Sequence, residues 1–288
     1  MEKVLVLGNK GMLGHVLYET FQTNDFTEKY DVIGINRSGD HRDNKSYGLD
    51  VLNFDELEQF VKNKQPKYIV NCIGCLVEAS ISKPSLAIQT NSLLPHFLNE
   101  ISEKYNFKFI HISTDCVFDG MKGMYKESDK KTETNYYGLT KNLGEIDNNR
   151  NLTIRTSIIG PELKSNPTGL FNWVISQNGN TIYGYSSAMW SGLTTIELAK
   201  FIIWSLNKEM TGIVHATNSI GISKYDLIKI INDVFDLNIR LVKHNDYKID
   251  KSLLNEKIKN YNFPSYIKMI EEMKDWIYYN NNMYRDFN

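Results

Sequence analysis

Near its start the chain reads Val4-Leu5-Val6-Leu7-Gly8-Asn9-Lys10-Gly11-Met12-Leu13-Gly14, an apolar strand that runs through a glycine turn into a helix. Gly8 permits a tight turn, Gly11 lets a phosphate approach the backbone, and Gly14 lets the helix pack closely on the strand. The N-terminus of that helix presents free N–H groups and partial positive charge to a pyrophosphate. The motif therefore predicts a bound dinucleotide, and with it hydride transfer.

Length and composition exclude several classes of protein. The 288 residues suffice for one large or two small domains, and 41% of them are hydrophobic, which is ample for a core. The 33 basic and 34 acidic residues nearly cancel, so nothing indicates a nucleic-acid partner. No apolar run approaches the roughly eighteen residues of a membrane span, and the first residues predict a strand rather than a signal peptide. With only three cysteines, we expect a cytoplasmic protein without membrane partners.

Apolar runs alternate with helix-length segments through the first half of the chain. Repeated strand–helix units predict an α/β fold of the Rossmann type, a doubly wound parallel sheet with helices on both faces. Ligands of such sheets bind at the carboxyl ends of the strands. We expect strands at 3–7, 31–35, 68–72, 107–112 and 152–157, and helices at 12–22, 55–64, 84–105 and 136–147.

The regular alternation of predicted strands and helices ends after about residue 160, where a Gly-Pro pair interrupts it. We expect residues 1–160 to form an NAD(P)-binding Rossmann domain, to which residues 193–217 return. Residues 161–192 and 218–288 would form a smaller, interleaved substrate-binding lobe.

Weaker patterns predict the elements of the second half. They indicate helices at about 170–178 and 194–207, a strand at 212–216, an irregular stretch at 179–192, and helices with short connections over 222–288.

A phenol and an ammonium lie four residues apart in Tyr137-Gly138-Leu139-Thr140-Lys141. On a helix these two side chains share one face, about one turn apart. A nearby lysine would lower the tyrosine pKa toward neutrality and make Tyr137 a usable proton donor to a carbonyl. The spacing alone is common, and two further pairs are expected on a surface helix and in a loop: Tyr225/Lys229 and Tyr247/Lys251.

The segment 113–120, Ser-Thr-Asp-Cys-Val-Phe-Asp-Gly, follows the strand predicted at 107–112. A hydroxyl from Ser113 or Thr114 could donate to a substrate carbonyl beside Tyr137, where negative charge develops. Taken alone, the segment also fits a plain strand-end turn, in which Ser, Thr and Asp are common.

Taken together, these motifs resemble a known family. The G-x-x-G-x-x-G turn, segment 113–120, Tyr137-x-x-x-Lys141 with Gly144-Glu145, and Arg155-Thr156-Ser157 resemble the dTDP-4-dehydrorhamnose reductases. These are extended short-chain dehydrogenases that act on nucleotide-linked 4-keto-6-deoxy sugars. The resemblance implies a catalytic set of Thr114, Tyr137 and Lys141. It implies a nucleotide-sugar substrate and is compatible with a homodimer, which is common among relatives.

The same resemblance implies a cofactor site, in which Tyr137 and Lys141 also hold the nicotinamide ribose. The implied contacts are Gly8, Gly11, Met12 and Leu13 at the pyrophosphate, Asp50 and Val51 beside the adenine, Cys72, Ile73 and Gly74 along the cofactor, and Asn91 ordering the helix that faces Lys141.

The end of the second strand favours NADPH over NADH. An acidic residue there would bind the 2′-hydroxyl of NAD, but this chain has Asn36-Arg37-Ser38. Arg37 can pair with a 2′-phosphate and stack on adenine, and Lys10 adds charge. NADH stays an alternative, because the family tolerates either cofactor.

Two positions depart from the family, which usually has Tyr at the place of Cys116 and Trp at that of Ile158. Both face the sugar in the family, so the departures point away from dTDP-rhamnose toward another sugar, such as a UDP-linked 4-keto-6-deoxy or 2-acetamido sugar. The expected substrate contacts are Thr114, Asp115, Cys116, Val117, Ile158 and Trp190.

Cys116 also raises two alternative functions. GDP-fucose synthase, an epimerase/reductase of the same superfamily, has a cysteine at the matching place, so Cys116 could support 3,5-epimerisation as a thiolate. Residues 168–170 supply no second acid or base for that step. The regulatory subunit of methionine adenosyltransferase also resembles the chain, so a non-catalytic dinucleotide-binding regulator is the other alternative. Cys72-x-x-Cys75 lacks further ligands, and we expect no metal site.

Overall fold

The computed structural model of the protein describes residues 1–40 and 43–284. Its first half alternates strands and helices. These elements are β1 (Glu2–Leu7), α1 (Met12–Phe21), α2 (Asn24–Thr27), β2 (Tyr30–Asn36), β3 (Ser46–Gly48), α3 (Phe54–Lys64), β4 (Tyr68–Asn71), α4 (Val77–Ser82), α5 (Pro84–Ala87), α6 (Leu94–Lys104), β5 (Lys108–Thr114), α7 (Tyr136–Leu143) and β6 (Leu152–Thr156). A π-helical stretch, Ile88–Leu93, joins α5 to α6, and a 3₁₀ turn, Asp115–Val117, follows β5.

The second half mixes short strands with four longer helices. These elements are β7 (Ile158–Ile159), α8 (Leu170–Ser176), β8 (Thr181–Tyr185), β9 (Ala188–Trp190), β10 (Leu193–Thr194), α9 (Thr195–Leu206), β11 (Gly212–His215), β12 (Ile222–Ser223), α10 (Lys224–Val234), β13 (Arg240–His244), β14 (Ile249–Asp250) and α11 (Tyr266–Tyr279). A 3₁₀ turn, Asn281–Met283, follows α11. None of the helices in the described ranges combines the length and apolarity needed to cross a bilayer.

Seven strands form one parallel sheet in the order β11-β6-β5-β4-β1-β2-β3. The chain builds outward from β1 to β3 on one side, then returns and builds from β4 to β6 on the other. The strand order therefore reverses between β1 and β4, which is where such sheets bind ligands. The predicted Rossmann-type fold is confirmed.

Hydrophobic cores cover both faces of this sheet. In β1, Val4 and Val6 belong to a cluster that includes side chains of α1, α9 and α11, whereas Leu5 and Leu7 belong to one with side chains of α3 and α6. Successive strand residues point to opposite faces, so a strand buried on both sides is apolar throughout. This explains the unbroken apolar run that precedes the glycine turn.

The segment 193–217 rejoins the central sheet. Its strand β11 pairs with β6 in parallel register, Val214 opposite Ile154, and its helix α9 packs in the same cluster as α1. The seven-stranded sheet is therefore completed by β11, a strand that begins more than fifty residues after the end of β6.

Two expectations for the second half are wrong. The stretch 179–192 contains β8 and β9, and residues 222–288 contain β12, β13 and β14 in addition to helices. β8 pairs with β13, and β9 pairs with β12 and β14. These strands are only two to five residues long. Their pairing partners lie far away in sequence, so local periodicity could not identify them.

Two of the predicted helices are also wrong in extent. The helix expected at 84–105 is divided by the π-helical stretch, and the helix expected at 136–147 ends at Leu143. The C-cap of α7, Gly144, lies against the π-helix, and a Cβ there would overlap the carbonyl oxygen of Asn91. The π-helix and the C-terminal end of α7 therefore pack directly against each other.

The end of the described chain is fastened to α1 through His15. His15 Nδ1 donates to the Gly11 carbonyl over 2.8 Å, so Nε2 accepts from the Tyr284 hydroxyl at 2.6 Å. Trp276 of α11 donates in turn to the Tyr284 oxygen at 3.0 Å. Burial lowers the pKa of His15 to about 4, so the neutral ring is the stable form near pH 7.

We predict that neutral His15 contributes to stability in a pH-dependent way. Its folded-state pKa of about 4 lies below the ordinary value of 6.5. The contribution is therefore complete above pH 6.5 and is lost as the pH falls toward 4. By pH 5 the loss is about 2 kcal/mol. Urea unfolding at pH 7 and at pH 5 measures this loss. Between these two pH values, the free energy of unfolding should fall less for His15→Gln than for the wild type.

The matched control is His244→Gln, because the His244 side chain is 40% exposed. This variant should lose as much stability on acidification as the wild type. An equal loss in the wild type and in His15→Gln would contradict the assignment.

Candidate active site

The glycine turn after β1 has the geometry that a pyrophosphate needs. Gly8 has φ +85°, a left-handed conformation, and a Cβ there would lie 2.9 Å from Ile73 Cγ1. A Cβ at Gly14 would overlap the carbonyl oxygen of Gly8, so only glycine lets α1 approach the turn this closely. The N-cap of α1 is Gly11, and no side chain caps the helix. The N-terminal N–H groups are thus presented without a competing side chain, and the turn fits a dinucleotide.

The turn after β4 lies beside the glycine turn and is fixed by two asparagines. Asn71 accepts from the Ile73 amide at 3.0 Å. Asn91, on the π-helix, accepts from the Cys75 amide at 2.8 Å and donates to Thr140 of α7 at 3.1 Å. Asn91 thereby connects the expected cofactor turn to the helix that carries Tyr137. π-Helical turns recur at functional sites because they redirect such side chains.

A cleft opens at the carboxyl ends of β2, β3 and β4. Its walls include five residues that the sequence assigned to the cofactor, together with Leu49, Leu52 and Thr90, which the sequence analysis missed; the five are Asn36, Arg37, Asp50, Val51 and Ile73. The apolar floor and the exposed arginine suit an adenine ring with its ribose. The cleft thus brings together five residues that the sequence analysis assigned to the cofactor from separate stretches of the chain.

Polar contacts hold the loop after β2 against the glycine turn. Asn36 donates to Asn9 at 2.9 Å and accepts from the Ser38 amide at 3.1 Å. Lys10 donates to the Gly39 carbonyl at 2.7 Å. Asn36 and Lys10 therefore shape this loop, while Arg37 is exposed at the mouth of the cleft.

The three expected catalytic residues converge at the end of β5. Thr114 is the last residue of that strand, and its hydroxyl, which donates to Asp115 at 3.1 Å, lies near Tyr137 of α7. Lys141, one turn further along α7, is buried and donates from Nζ to the Ile112 carbonyl at 2.6 Å. A carbonyl placed beside Thr114 and Tyr137 would meet two hydroxyl donors.

The expected effect of Lys141 on the Tyr137 pKa is wrong in this structure. Burial raises the pKa of Tyr137 above its ordinary value, and the nearby Thr114 hydroxyl offsets this only in part. Burial also lowers the pKa of Lys141 to about 8, against the charge of Glu145, which raises it. The low dielectric around both groups outweighs the expected stabilisation of the phenolate. Tyr137 is thus a protonated donor over the whole physiological range.

Cys116 is held as a thiol. Burial raises the pKa of Cys116 to about 12, and the neighbouring Asp115 carboxylate raises it further, although Lys251 acts in the opposite direction. Burial raises the pKa of Asp115 as well. The thiolate that the epimerase alternative requires is therefore disfavoured, because the Cys116 thiol keeps its proton at neutral pH.

A buried ion pair under the site escaped the sequence analysis. Arg155 of β6 donates to both carboxylate oxygens of Glu145, at 2.7 and 2.8 Å. Ser113 donates to the same carboxylate at 2.7 Å, and Lys131 lies 3.2 Å from it. Although burial acts to raise it, Arg155 keeps the pKa of Glu145 below its ordinary value. Glu145 and Arg155 both stand in motifs that carry the family resemblance, which was the available signal.

Other predicted residues have less specific surroundings. Val117 is buried in a small cluster with Phe118, Ile158 is half-buried on β7, and Trp190 is 6% exposed and packs on Tyr266. A substrate role for Trp190 stays a prediction. Burial raises the pKa of Cys72 to about 12, so its thiol is inert.

The seven-stranded parallel sheet, with the glycine turn at its switch point, places the chain in the class of Rossmann-type α/β proteins. A family model described as "RmlD substrate binding domain" matches residues 1–250, and the chain belongs to this family.

Individual relatives differ in function. The chain is similar to a dTDP-4-dehydrorhamnose reductase of Aggregatibacter actinomycetemcomitans, 30% identical over 147 residues, which cover 50% of this chain and 46% of that protein. It is equally similar to the methionine adenosyltransferase 2 subunit beta of Danio rerio, 30% identical over 145 residues, 50% of this chain and 42% of that protein. The chain thus matches less than half the length of either curated relative.

The fold extends over the whole of a solved relative. The structure of dTDP-4-dehydrorhamnose reductase from Bacillus anthracis in complex with NADP superposes with a TM-score of 0.82 at 21% identity. It covers 96% of this chain and 99% of that chain.

We predict that Gly14→Ala abolishes tight dinucleotide binding, because the added methyl would overlap the Gly8 carbonyl and push α1 from the turn. Overpacking of this kind typically costs about 1–3 kcal/mol of stability. Isothermal titration with NADPH and thermal unfolding measure the two effects. Gly221→Ala is the control, since its added Cβ would only reach ordinary contact with Met189, at 3.4 Å. Unchanged NADPH affinity in Gly14→Ala would refute the assignment.

Proposed function

We propose that the protein reduces the C4 keto group of a nucleotide-linked 4-keto-6-deoxy sugar, UDP- or dTDP-linked, with NADPH as reductant. The observation that carries this proposal is the convergence of Thr114, Tyr137 and Lys141 at the carboxyl end of β5, in a sheet whose strand order reverses between β1 and β4. The family membership and the reductases among the relatives support the same reaction class.

The residues divide the reaction between them. A bound NADPH supplies a hydride to the keto carbon. Thr114 and Tyr137 hold the keto oxygen, and Tyr137 gives its phenolic proton to that oxygen as the C–H bond forms, which yields an alcohol. Lys141, buried and positively charged, stabilises the tyrosinate left behind and binds the ribose of the cofactor. The high pKa of Tyr137 suits this role, because the phenol enters the step protonated.

Arg37 supports a preference for NADPH. It is exposed at the mouth of the cleft that Asp50 and Val51 line, and no acidic residue follows β2 directly. Its guanidinium can pair bidentately with a 2′-phosphate. The solved relative from Bacillus anthracis was in complex with NADP.

Two alternatives give different outcomes. The 3,5-epimerase/4-reductase alternative needs Cys116 as a base, and its pKa of about 12 disfavours that role. The regulatory alternative draws on the similarity to methionine adenosyltransferase 2 subunit beta. The retained catalytic set favours an enzyme over a regulator.

The elements of the second half of the chain would cover the site that the first half forms. We assign residues 161–192 and 218–288 to a substrate-binding lobe over the Rossmann domain of residues 1–160 and 193–217. Support comes from β8, β9 and their partner strands, which form small sheets separate from the seven-stranded one.

We predict that Tyr137→Phe lowers kcat by roughly 100-fold or more, since general-acid catalysis contributes about 10²–10⁴-fold. The measurement is NADPH oxidation with a panel of dTDP-, UDP- and GDP-linked 4-keto-6-deoxy sugars. Tyr136→Phe, on the exposed neighbouring ring, is the matched control and should retain full rate. Full activity in Tyr137→Phe would remove Tyr137 from the mechanism.

The same reactions run in D₂O distinguish the alternatives. A reductase leaves the ring carbons beside the keto group undeuterated, whereas deuterium there would establish epimerisation and a role for Cys116. NADPH binding without turnover of any panel sugar would favour the regulator.

We predict that Arg37→Ala weakens NADPH binding by roughly tenfold or more, the value of a charge-assisted hydrogen bond. NADH affinity should change less than about twofold, because NADH lacks the 2′-phosphate. Arg240→Ala, on the exposed strand β13, is the control and should bind both cofactors normally. Equal losses for NADH and NADPH would show that Arg37 does not read the phosphate.

A further inference from the structure

Exposed apolar side chains gather on one side of the molecule. Within the described ranges, eight of the twenty exposed large hydrophobic residues lie on α4 and its N-cap, on the π-helical stretch and on α7. We call this surface the apolar patch. Its members, each between 45% and 63% exposed, are Leu76, Val77, Ile81, Ile88, Leu93, Tyr136, Leu139 and Leu143. Because α4 and the π-helical stretch both pack on α7, the three elements present these side chains on a shared surface.

The part of the apolar patch on α7 is the outer face of that helix. Tyr136, Leu139 and Leu143 recur at positions i, i+3 and i+7, which lie on one side of a helix. Thr140 and Lys141 are buried on the opposite side. The outer face of α7 is thus apolar although it lies in water, which is typical of a surface that another molecule covers.

The neighbouring elements continue this apolar face. On α4, Val77 and Ile81 are four residues apart and share one side of the helix. On the π-helical stretch, Ile88 and Leu93 are five residues apart, which is the hydrogen-bonding interval of a π-helix. Asn91 lies between them and is buried on the inner side. The elements that hold the inner contacts of Asn91 therefore carry the apolar patch on their outer side.

The apolar patch has the size of one side of a dimer interface. At about 150 Å² for each large side chain, half-exposure of all eight leaves roughly 600 Å². The largest apolar patch on a monomer is typically about 300–600 Å². A standard interface buries about 800 Å² on each partner, and about 65% of a homodimer interface is apolar. The apolar patch is therefore at the upper end for a monomer and matches the apolar part of a homodimer interface.

The charges at the apolar patch favour a second copy of the chain over a membrane. A membrane-docking surface carries a cluster of lysines or arginines around its apolar centre. Lys83 is the one exposed basic residue of the three elements and their caps, all of which are described, because Lys141 is buried. Lys83 is the C-cap of α4, and the exposed Glu78 is in the first turn of the same helix. Opposite charges thus lie at the two ends of α4.

We propose that a second copy of this chain docks on the apolar patch and forms a two-fold dimer. A two-fold axis brings the same surface of both copies together, so each apolar patch covers the other. With α4 antiparallel to its counterpart, Glu78 pairs with the partner's Lys83, and the same contact occurs twice. Such exposed pairs add little affinity but fix the register of the interface. The dimer covers the outer side of the helix that carries Tyr137.

Sedimentation equilibrium of the full chain tests this proposal without substrate or cofactor, so the result is independent of the proposed reductase function. At micromolar concentrations the wild type should have twice the chain mass of 33.3 kDa. Leu139→Glu should raise the dimer Kd by roughly a hundredfold or more, because the interface would bury an unpaired charge. The matched control is Ile267→Glu, at a similarly exposed isoleucine of α11 outside the apolar patch. It should dimerise as the wild type does.

Charge reversal on α4 tests the two-fold arrangement at exposed positions that leave the fold intact. Glu78→Lys and Lys83→Glu should each raise the dimer Kd by roughly tenfold, because each reversal places like charges together twice in the dimer. The double variant Glu78→Lys/Lys83→Glu exchanges the two charges and should restore the wild-type Kd. The melting temperature of each variant, measured below the dimer Kd, should equal that of the wild type.

Three results would overturn the inference. The first is a wild type that stays monomeric at micromolar concentrations. The second is a folded Leu139→Glu variant that dimerises with the wild-type Kd, because the dimer would then form through another surface. The third is a double variant in which dimerisation is not restored, because the antiparallel contact of α4 would then be absent. If Leu139→Glu does not fold, the charge-reversal series decides alone.

Discussion

The buried ion pair between Arg155 and Glu145 is the interaction on which the rest of the site depends. It joins β6 to the residues directly after α7, and through Ser113 it also joins β5 beside Thr114. Removing one partner of a buried pair typically costs about 3–5 kcal/mol, because the other charge stays buried without compensation. All three residues of the proposed catalytic set lie on elements joined by this pair, Thr114 on β5 and both Tyr137 and Lys141 on α7.

The same carboxylate also sets the electrostatics of the site. Burial by itself favours a neutral amine at Lys141, and Glu145 counteracts this by raising the Lys141 pKa. At Tyr137 and Cys116 the opposing effects of Thr114 and Lys251 are smaller than that of burial, so both groups stay protonated. A site with a protonated phenol, a protonated thiol and a stabilised ammonium is suited to deliver a proton to a carbonyl oxygen rather than to remove one from carbon.

The second constraint is that backbone segments approach each other closely, which requires glycine at the points of contact. Gly14 allows α1 to lie on the turn after β1, and Gly144 allows the end of α7 to lie on the π-helix that carries Asn91. Asn91 then connects the turn after β4 to α7. The turns after β1 and β4 and the helix that carries Tyr137 are thus held together by the hydrogen bonds of Asn91 and by close contacts that only glycine permits.

The catalytic set of Thr114, Tyr137 and Lys141 was implied by the family resemblance and stays a prediction. The sequence by itself determined the strand–turn–helix start, the alternating elements of the first half and the one-turn spacing of Tyr137 and Lys141. Those features are local, because apolar periodicity, glycine spacing and residues one helical turn apart need no knowledge of distant partners. Tertiary structure alone decided the short strands β8, β9, β12, β13 and β14, the break in the helix at Ile88–Leu93 and the burial of Lys251. It also decided the protonation of Tyr137, since a pKa depends on how many groups from elsewhere in the chain exclude water from the phenol.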